Sequence, residues 1–402
     1  MNSLEQYIYN QLRESPKIRK FISELYRSSH RIIPVTLKNA SDVRIYQNNF
    51  FGFHDKSPWN QSDQLLLSHR IPFAQDLRFK HSTEMSVGFY NQDDEYCEID
   101  KTTVWNWQQG SNLQWIGDTN TCAYHTFIDG QLITRHYNVD DKTFFDSTIH
   151  EAAYSGDANY VVQYNYHRFS QGAEGYGYSN GDEKLSNIPT DVMLSVLSRP
   201  DQKTRYEISI EDLNPAPDKT HFHFVSHALF SLDSSKLAFF YRQLWANGYI
   251  STDLVIIDLK TMKHDIAPVY DASHMCWTLH GELICFCMYQ ETPGYYAIRY
   301  DEAISVYPIQ SDLLIDGHPT WVPNTNSIVT DSYPDKYGIQ SLYLLDQKQQ
   351  KTELLHQARI GAKFRGVNRC DFHPRPNRSG TRVSIDSPYK GRRCQMVLKL
   401  DQ

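Results

Sequence analysis

The sequence has no long apolar segment. No stretch approaches the roughly 18 apolar residues that a membrane-spanning helix needs. The first residues, MNSLEQYIYNQLRESPK, lack the apolar core of a signal peptide. The seven cysteines are odd in number and scattered, which is typical of reduced thiols. We therefore expect a cytoplasmic protein with no transmembrane segment.

Strongly basic regions are also missing. The net charge is −7 at pH 7, so neither nucleic acid nor an anionic membrane is expected as a partner. A short basic stretch, KGRR at 390–393, stands between two β-rich runs. We interpret it as a turn whose Arg392 contacts an anionic ligand.

What the sequence does contain is a repeat marked by histidine. Four consecutive segments, SHALFSLDSSKLAFF, SHMCWTLHGELICF, GHPTWVPNTNSIVTDS and FHPRPNRSGTRVSIDS, place a histidine three residues before an aromatic residue or a proline. These histidines, about 44 to 55 residues apart, are His227, His274, His318 and His373. Each segment continues with a polar turn and a β-rich run, as in four-stranded propeller blades of about 40–50 residues.

Weaker copies of the repeat precede these four. They place Lys56 before Trp59, Asn112 before Trp115 and Glu151 before Tyr154, again at a spacing of three. The Gly-rich stretch 172–189 accounts for the one long interval. The repeats predict an all-β fold, a seven-bladed β-propeller over residues 31–402, with blade anchors at positions 59, 115, 154, 230, 277, 321 and 376.

Residues 1–30 differ from the rest of the chain. Apolar residues at helical spacing predict two short amphipathic helices, separated by Pro16. We interpret them as a cap packed on the propeller; docking to a partner or a membrane surface is the alternative. The run RIIPVTL that follows is expected to close the ring against the last blade.

Equivalent blade positions lie at one height around the propeller axis, so the four imidazoles are expected to converge there. Convergence of titratable groups in a cavity is typical of a metal or catalytic site. The alternative is that each histidine only begins an inner strand. Lys56, Asn112 and Glu151 would complete a polar ring.

Three further segments are rich in functional groups. FFGFHDKSPW offers His54 and Asp55 beside Lys56. VWNWQQGSNLQW offers the indoles and amides of Trp105, Trp107, Gln108 and Gln109, which suit polyhydroxylated ligands. The alternative is that the tryptophans pack between blades. YNYHRF offers a base, an acid and a carboxylate clamp: Tyr166, His167 and Arg168. Asp331 and Asp386 occupy matching blade positions and are interpreted as turn and ladder caps.

The segments FGFHDKSPW, VWNWQQGSNLQW, GYGY, DGHPTWVPNTNSIVTDSYPD and RCDFHPRPNRSGTRVSIDS resemble a family of bacterial seven-bladed propellers associated with polysaccharide genes. From about residue 44 onward the chain is more distantly similar to oligogalacturonate lyases and to the TolB propeller. The lyase resemblance implies an axial metal, typically Mn²⁺, held by histidine and glutamine. It also implies removal of the C5 proton of a uronate and loss of the C4 substituent.

From this resemblance we expect His274, His318 and His373 to bind Mn²⁺ or another divalent metal, since imidazole also suits zinc, copper and nickel. No glutamine of this sequence matches the glutamine ligand. His227, His167, Arg168 and Lys56 are the expected catalytic groups. His54, Asp55, Trp105, Trp107, Gln108, Gln109, Tyr166 and Arg392 are the expected substrate-binding groups.

Three functions remain open. The first is a metal-assisted lyase acting on acidic, uronate-containing oligosaccharides or polysaccharides. The second is a cytosolic protein of surface-polysaccharide biosynthesis that transfers or trims a sugar. The third is a non-catalytic propeller that binds carbohydrate or protein, because this fold hosts many functions.

Overall fold

Seven four-stranded antiparallel sheets form the part of the chain that the computed structural model describes, residues 33–72, 83–179, 181, 183–309 and 313–400. Each sheet is one blade of a propeller. The seven-bladed all-β architecture predicted from the repeats is confirmed. The helices predicted for residues 1–30 lie outside the described residues.

The first three blades come from the first half of the chain. Blade 1 contains β2 (Asn49–Phe50), β3 (Leu66–Arg70), β4 (Met85–Tyr90) and β5 (Tyr96–Thr102). Blade 2 contains β6 (Gln114–Trp115), β7 (Thr121–Ile128), β8 (Gln131–Asn138) and β9 (Thr143–Ser147). Blade 3 contains β10 (Glu151–Tyr154), β11 (Tyr160–Tyr164), β12 (Leu194–Ser198) and β13 (Thr204–Ile208).

The remaining blades carry the histidine repeats. Blade 4 contains β14 (Phe222–Phe230), β15 (Lys236–Leu244), β16 (Ile250–Asp258) and β17 (Lys263–Ile266). Blade 5 contains β18 (Tyr270–Trp277), β19 (Leu283–Tyr289), β20 (Thr292–Tyr300) and β21 (Ile304–Pro308). Blade 6 contains β22 (Thr320–Val322), β23 (Ser327–Asp331), β24 (Ile339–Asp346) and β25 (Lys351–Arg359). Blade 7 contains β26 (Arg375–Pro376), β27 (Arg382–Tyr389), β28 (Arg392–Lys399) and β1 (Val43–Gln47).

The repeat anchors mark the first strand of each blade. Six of them lie in β6, β10, β14, β18, β22 and β26, and the seventh, Trp59, pairs with Leu66 of β3. The polar segments predicted after the anchors are the turns into the second strands. The Asp129–Gly130 turn between β7 and β8 has positive φ at both residues, the conformation that a two-residue hairpin favours.

The second and third strands are apolar on both sides because each blade packs between two others. In β15, Leu237 and Phe239 pack toward blade 3, whereas Ala238 and Phe240 pack toward blade 5. A strand that is buried on one face alternates apolar and polar residues, whereas a strand that is buried on both faces is a continuous apolar run such as LAFFY. The core is therefore a series of layers between blades.

The N-terminal strand β1 closes the ring. It pairs with β28 from Val43 opposite Leu398 to Gln47 opposite Cys394. Closure against the last blade was predicted, but the prediction that RIIPVTL supplies the strand is wrong, since residues 33–37 form no strand. Pro34 cannot donate a ladder hydrogen bond, whereas Val43 and Ile45 pack on the core of blade 7.

The insertion predicted in blade 3 follows β11 and contains helix α1 (Tyr166–Gly172). Asn165 caps this helix by accepting a hydrogen bond from the Arg168 backbone N–H. The other short helices are α2 (Ile210–Leu213) and a 3-10 turn (Gly366–Asn368). Among the described residues, no helix has the length and apolar character needed to cross a membrane.

The inner strands all run in one direction through the ring. We call the face at which they begin the upper face and the face at which they end the lower face. The polar side chains discussed next lie around the axis, between these two faces.

Candidate metal centre on the propeller axis

Five imidazoles meet on the axis. The ring centroids of His274 and His318 are 4.1 Å apart, and those of His318 and His373 are 4.3 Å apart. His54 lies 5.3 Å from His318, and His227 joins the group through Phe53, whose ring is 4.6 Å from both His227 and His54. The four repeat histidines therefore lie together on the axis, as predicted, and the Phe53 ring lies among them.

The cluster is buried, and part of it is strained. Each of the five histidines is at most 6% exposed. His227 and His373 have φ values of 55° and 45°, in a region that residues other than glycine rarely adopt. Such conformations cost free energy and tend to occur at functional sites.

Two carboxylates orient the imidazoles of blades 5 and 6. His318 Nδ1 lies 2.7 Å from Asp331 Oδ1, and His274 Nδ1 lies 3.0 Å from Asp316 Oδ1. Burial opposes protonation of His318, but Asp331 outweighs it and raises the pKa of His318. Burial lowers the pKa of His274, and the neighbouring His318 lowers it further.

The other three imidazoles are held neutral. Burial lowers the pKa of His54, His227 and His373 well below 6.5, and nearby charged or titratable groups add to the effect. A neutral imidazole offers the nitrogen lone pair that a metal ion or a proton requires.

A metal-binding geometry exists at one side of the cluster. One ligand atom from each of His318, Asp371 and His373 lies within 4.8 Å of the others, and all three residues are buried. The Nε2 atoms of His318 and His373 are buried without a hydrogen-bond partner among the described residues. Since Asp331 accepts from His318 Nδ1, the lone pair of Nε2 points elsewhere, as in carboxylate–histidine–metal arrangements. These residues fit a divalent transition metal.

The expected ligand set and the observed group differ in one member. His274 packs beside His318, but the mutually close group contains Asp371 in its place. The glutamine that the resemblance implies has no counterpart in that group. Gln340 donates to Asp331 Oδ2 at 3.2 Å and so lies behind the carboxylate.

Cationic and phenolic groups surround the upper side of the cluster. Arg369 donates to Asp371 at 2.7 Å and to the Tyr176 hydroxyl at 2.6 Å. The ring of Tyr333, 37% exposed, lies 5.7 Å from that of His318. The Arg242 guanidinium lies 5.0 Å from the centre of the Phe240 ring, its Nε is buried, and it has no hydrogen bond or ion pair to another described residue. Arg242 can therefore accept an anionic ligand without losing a partner.

A cavity of about 170 Å³ lies on the lower side. Its polar lining includes His54, Asp55 and Lys56, the three residues predicted from FFGFHDKSPW. Lys56 Nζ is 2.7 Å from Asp55 Oδ2, so the two charges neutralise one another. Apolar walls come from the blade anchors Phe230, Trp277, Trp321 and Pro376.

The indole and amide groups of VWNWQQGSNLQW have internal partners. Trp105 donates to the Thr83 carbonyl and Trp107 to Asn368. Gln108 donates to the Arg369 carbonyl, and Gln109 accepts from Gly177. All four are buried. Packing and positioning of the loops account for them, and their predicted contact with a ligand stays a prediction.

The three residues predicted from YNYHRF, Tyr166, His167 and Arg168, lie in α1 and outside the histidine cluster, although Phe169 of the same helix packs on His227 with ring centroids 5.4 Å apart. The Arg168 guanidinium donates to the carbonyls of His223 and Ser186, which ties the insertion to blade 4. Tyr166 stacks between Tyr164 and Tyr178. His167 faces Gln171 and lines a separate cavity beside the insertion.

Arg392 is exposed at the start of β28, the third strand from the axis. The adjacent Arg393 is buried; it donates to the carbonyls of Asn368 and Arg369 and stacks over Trp107. The structure therefore places Arg392 away from the cluster. The described contacts do not test its predicted role in binding a ligand.

The polar ring does not continue through blades 2 and 3. Asn112 donates to the carbonyls of Glu151 and Ala152. The Glu151 carboxylate lies 2.5 Å from His136, on the third strand of blade 2, and therefore points away from the axis. The polar character of these positions supports the contact between blades.

Asp331 and Asp386 lie in strands and not in turns, so the turn half of their interpretation as turn and ladder caps is wrong, whereas both do cap backbone N–H groups of neighbouring strands. Asp331 accepts from the backbone N–H groups of His318 and His373. Asp386 accepts from the N–H groups of Phe51 and Gly52 and pairs with Arg375. Each carboxylate thus ties the inner strand of one blade to that of the next.

Several site residues were not predicted: Phe53, Tyr176, Arg242, Asp316, Tyr333, Arg369 and Asp371. A signal existed for two of them. DGHP and DFHP repeat an Asp-x-His-Pro pattern in blades 6 and 7, and each aspartate reaches the histidine of the preceding blade. For Arg242 and Tyr333, which belong to second strands and their turns, no comparable pattern exists.

No protein-family model and no curated protein matches the sequence. The fold is similar to the tricorn protease at a TM-score of 0.50 and 9% identity; the match covers 88% of this chain and 34% of the protease. TolB from Acinetobacter baumannii matches at 0.41 and 10%, and the β-propeller domain of the Trilobed protease from Pyrococcus furiosus at 0.46 and 10%; both matches cover 91% of this chain and 97% of the other. These similarities concern the fold alone. The chain spans about a third of the tricorn protease.

Proposed function

We propose that this propeller is carbohydrate-active and that its axial site is a divalent-metal centre that cleaves acidic oligosaccharides by β-elimination. The observation that carries the proposal is the group of His318, Asp371 and His373, with two buried imidazole nitrogens that have no partner among the described residues. A buried polar atom without a hydrogen bond costs about 1–3 kcal/mol, which a ligand at that atom would recover. Arg242, whose charge acts on His227 and which has no hydrogen bond or ion pair to another described residue, supports an anionic substrate.

His318, Asp371 and His373 would hold the ion, while His274 packs beside His318 and is oriented by Asp316. A bound divalent ion would act as a Lewis acid and withdraw electron density from a substrate carboxylate. Arg242 would pair with the same carboxylate and orient the sugar, since a guanidinium binds a carboxylate through two parallel hydrogen bonds.

The chain's own groups can carry the proton steps. His227 has no partner at either ring nitrogen within the described structure, and its lowered pKa keeps it neutral, so it can accept the C5 proton. The C5–H electrons then form the C4–C5 double bond as the C4–O bond breaks. The departing oxygen takes a proton from a phenol, for which Tyr333 is placed beside the cluster.

Of the four residues predicted to be catalytic, this proposal retains His227 in a catalytic role. His167 and Arg168 lie in the insertion, and Lys56 lies in the lower cavity. They are proposed here as structural residues or as residues of the lower opening.

Metal analysis is the first test. We expect about one divalent ion per wild-type chain and none in His318→Ala. His356→Ala is the matched control, because His356 is a buried histidine of the outer strand β25. A wild-type protein that retains no divalent ion after incubation with Mn²⁺, Zn²⁺ and Ni²⁺ would overturn the metal centre.

Activity is tested separately with uronate oligomers. The unsaturated product absorbs in the ultraviolet, so the wild type should show rising absorbance, and His227→Gln should lose it while retaining the metal. If uronate oligomers bind but no unsaturated product forms, the lyase activity is excluded and the protein is a non-catalytic carbohydrate-binding propeller. A nucleotide-sugar that raises the melting temperature, without cleavage of oligomers, would instead support surface-polysaccharide biosynthesis.

A further inference from the structure

Three exposed aromatic residues stand at the ends of neighbouring strands of blades 4 and 5 on the upper face. Trp245 and Tyr249 are 40% and 44% exposed and belong to the turn between β15 and β16. Tyr270 is 64% exposed and begins β18. Phe144, Phe145 and Tyr307, by contrast, are exposed aromatic residues of the outer strands β9 and β21.

Neighbouring side chains fix two of these rings in place. Trp245 stacks on His221 at 4.3 Å and donates its indole N–H to Ser251 Oγ at 3.1 Å. Tyr249 packs against Trp245 edge to face, with centroids 5.7 Å apart, and its hydroxyl donates to Asp271. Asp271 follows Tyr270, so this bond connects the turn of blade 4 to the inner strand of blade 5. Fixed rings lose little entropy when a ligand binds.

The aromatic group lies above the axial site. Tyr270 lies opposite Met288 and His274 lies opposite Phe286, so the two residues are separated by two positions of the partner strand β19, or about 7 Å. Trp245 follows Arg242 by three residues, or about 10 Å. His221 directly precedes the inner strand β14, so its stacking partner Trp245 lies near the inner edge of blade 4.

We propose that Trp245, Tyr249 and Tyr270 form a stacking subsite for the distal sugar rings of an oligosaccharide whose acidic sugar occupies the axial site. This inference rests on the proposed function and extends it to a substrate of several sugars. Aromatic faces pack against the apolar C–H faces of pyranose rings, while Asp271 and Ser251 offer hydrogen bonds to hydroxyl groups. The distances of about 7 to 10 Å estimated along the strands leave room for a sugar ring between the two subsites.

Calorimetric titration with galacturonate and with tetragalacturonate tests the subsite. Trp245→Ala and Tyr270→Ala should each weaken tetramer binding by about 3- to 10-fold, because one aromatic contact contributes roughly 0.5–1.5 kcal/mol. Neither variant should change binding of the monomer. Phe145→Ala, which removes a 56% exposed ring of the outer strand β9, should change neither affinity.

Arg242→Ala separates this inference from the proposed function. If Arg242→Ala weakens binding of both sugars while Trp245→Ala and Tyr270→Ala bind the tetramer like the wild type, the subsite is wrong and the axial site stands. If the tetramer binds through Trp245 while Arg242→Ala has no effect on either sugar, the subsite stands and the proposed anion site is wrong. A wild type that binds neither sugar overturns both.

Discussion

Asp331 connects the stability of the ring to the properties of the candidate metal centre. Its fully buried carboxylate accepts from the His318 backbone N–H at 2.8 Å, His318 Nδ1 at 2.7 Å, the His373 N–H at 3.1 Å and Gln340 Nε2 at 3.2 Å. Asp331→Asn keeps the volume but replaces one acceptor oxygen with a donor NH₂ group. Two of the four donors must then face that group.

The loss can be worked out from the partners. Gln340 can turn its amide and present Oε1, which has no partner among the described residues, so one of the two donors is recovered. The other donor is left buried without an acceptor, which costs about 1–3 kcal/mol. The remaining hydrogen bonds become weaker because they no longer end on a charged carboxylate; a hydrogen bond to a charged group is worth roughly 1.5–3 kcal/mol. We expect Asp331→Asn to lower the free energy of unfolding by about 3 to 5 kcal/mol.

The same change should weaken metal binding. Asp331 holds the proton on His318 Nδ1 and leaves Nε2 free, and removal of such a partner typically costs 10- to 100-fold in metal affinity. Asp331 also raises the pKa of His318, so the variant's histidine should titrate at lower pH. Urea denaturation gives the stability change, competitive chelation gives the metal affinity, and NMR gives the titration of the imidazole.

Asp386→Asn is the matched control. Asp386 accepts from two backbone N–H groups and from Arg375 in blade 7 but contacts no histidine. The Asp386→Asn variant should lose stability to a similar extent but keep its metal affinity. Metal affinity is measured under conditions in which circular dichroism shows that both variants are folded. Unchanged metal affinity in Asp331→Asn, or an equal loss in Asp386→Asn, would refute the reasoning.

Three further outcomes are expected. The metal-free protein should lose stability as the pH falls below about 6.5, because His227 and His373 stay neutral in the folded state but take up protons in the unfolded state. Urea titrations at several pH values measure the resulting slope of unfolding free energy against pH. His227→Phe should reduce that slope by about 1.4 kcal/mol per pH unit. Gly317→Ala should abolish metal binding and lower the melting temperature, since a Cβ there would lie 1.8 Å from the Asp331 carbonyl oxygen. Arg44→Pro should lower the urea midpoint by removing a backbone hydrogen bond between β1 and β28, the pair of strands that closes the ring, whereas Val35→Pro, outside any strand, should have little effect.

The architecture was predictable because the sequence repeats at the inner strand of every blade. In the last four repeats the repeated position is a histidine, and equivalent positions lie at one height on the axis, so spacing along the chain translates directly into spatial convergence. The same reasoning failed for Glu151. A strand directs successive side chains to opposite sides, so a register shift that the repeat pattern does not reveal turns the carboxylate toward His136.

Residues on second strands could not be predicted from the repeat. Arg242 and Tyr333 reach the axis through the end of β15 and the turn after β23, and the sequences of these segments differ from blade to blade. The tryptophan-rich segment shows that one composition can serve two purposes. Its indole and amide groups suit a sugar, but they also suit the buried hydrogen bonds that position Arg369 and the 3-10 turn.

The Asp-x-His-Pro pattern explains why potential metal-ligand atoms lie on one side of the axis and not in a symmetric ring. In blades 6 and 7 the aspartate precedes the histidine by two residues, and its carboxylate reaches the histidine of the blade before. Blade 1 reverses the order: Asp55 follows His54, and its carboxylate pairs with Lys56 beside the lower cavity. Blade 4 has His227 with no such carboxylate, which leaves a neutral imidazole in an apolar surround. Ligand atoms therefore gather near His318, while His227 remains free to accept a proton.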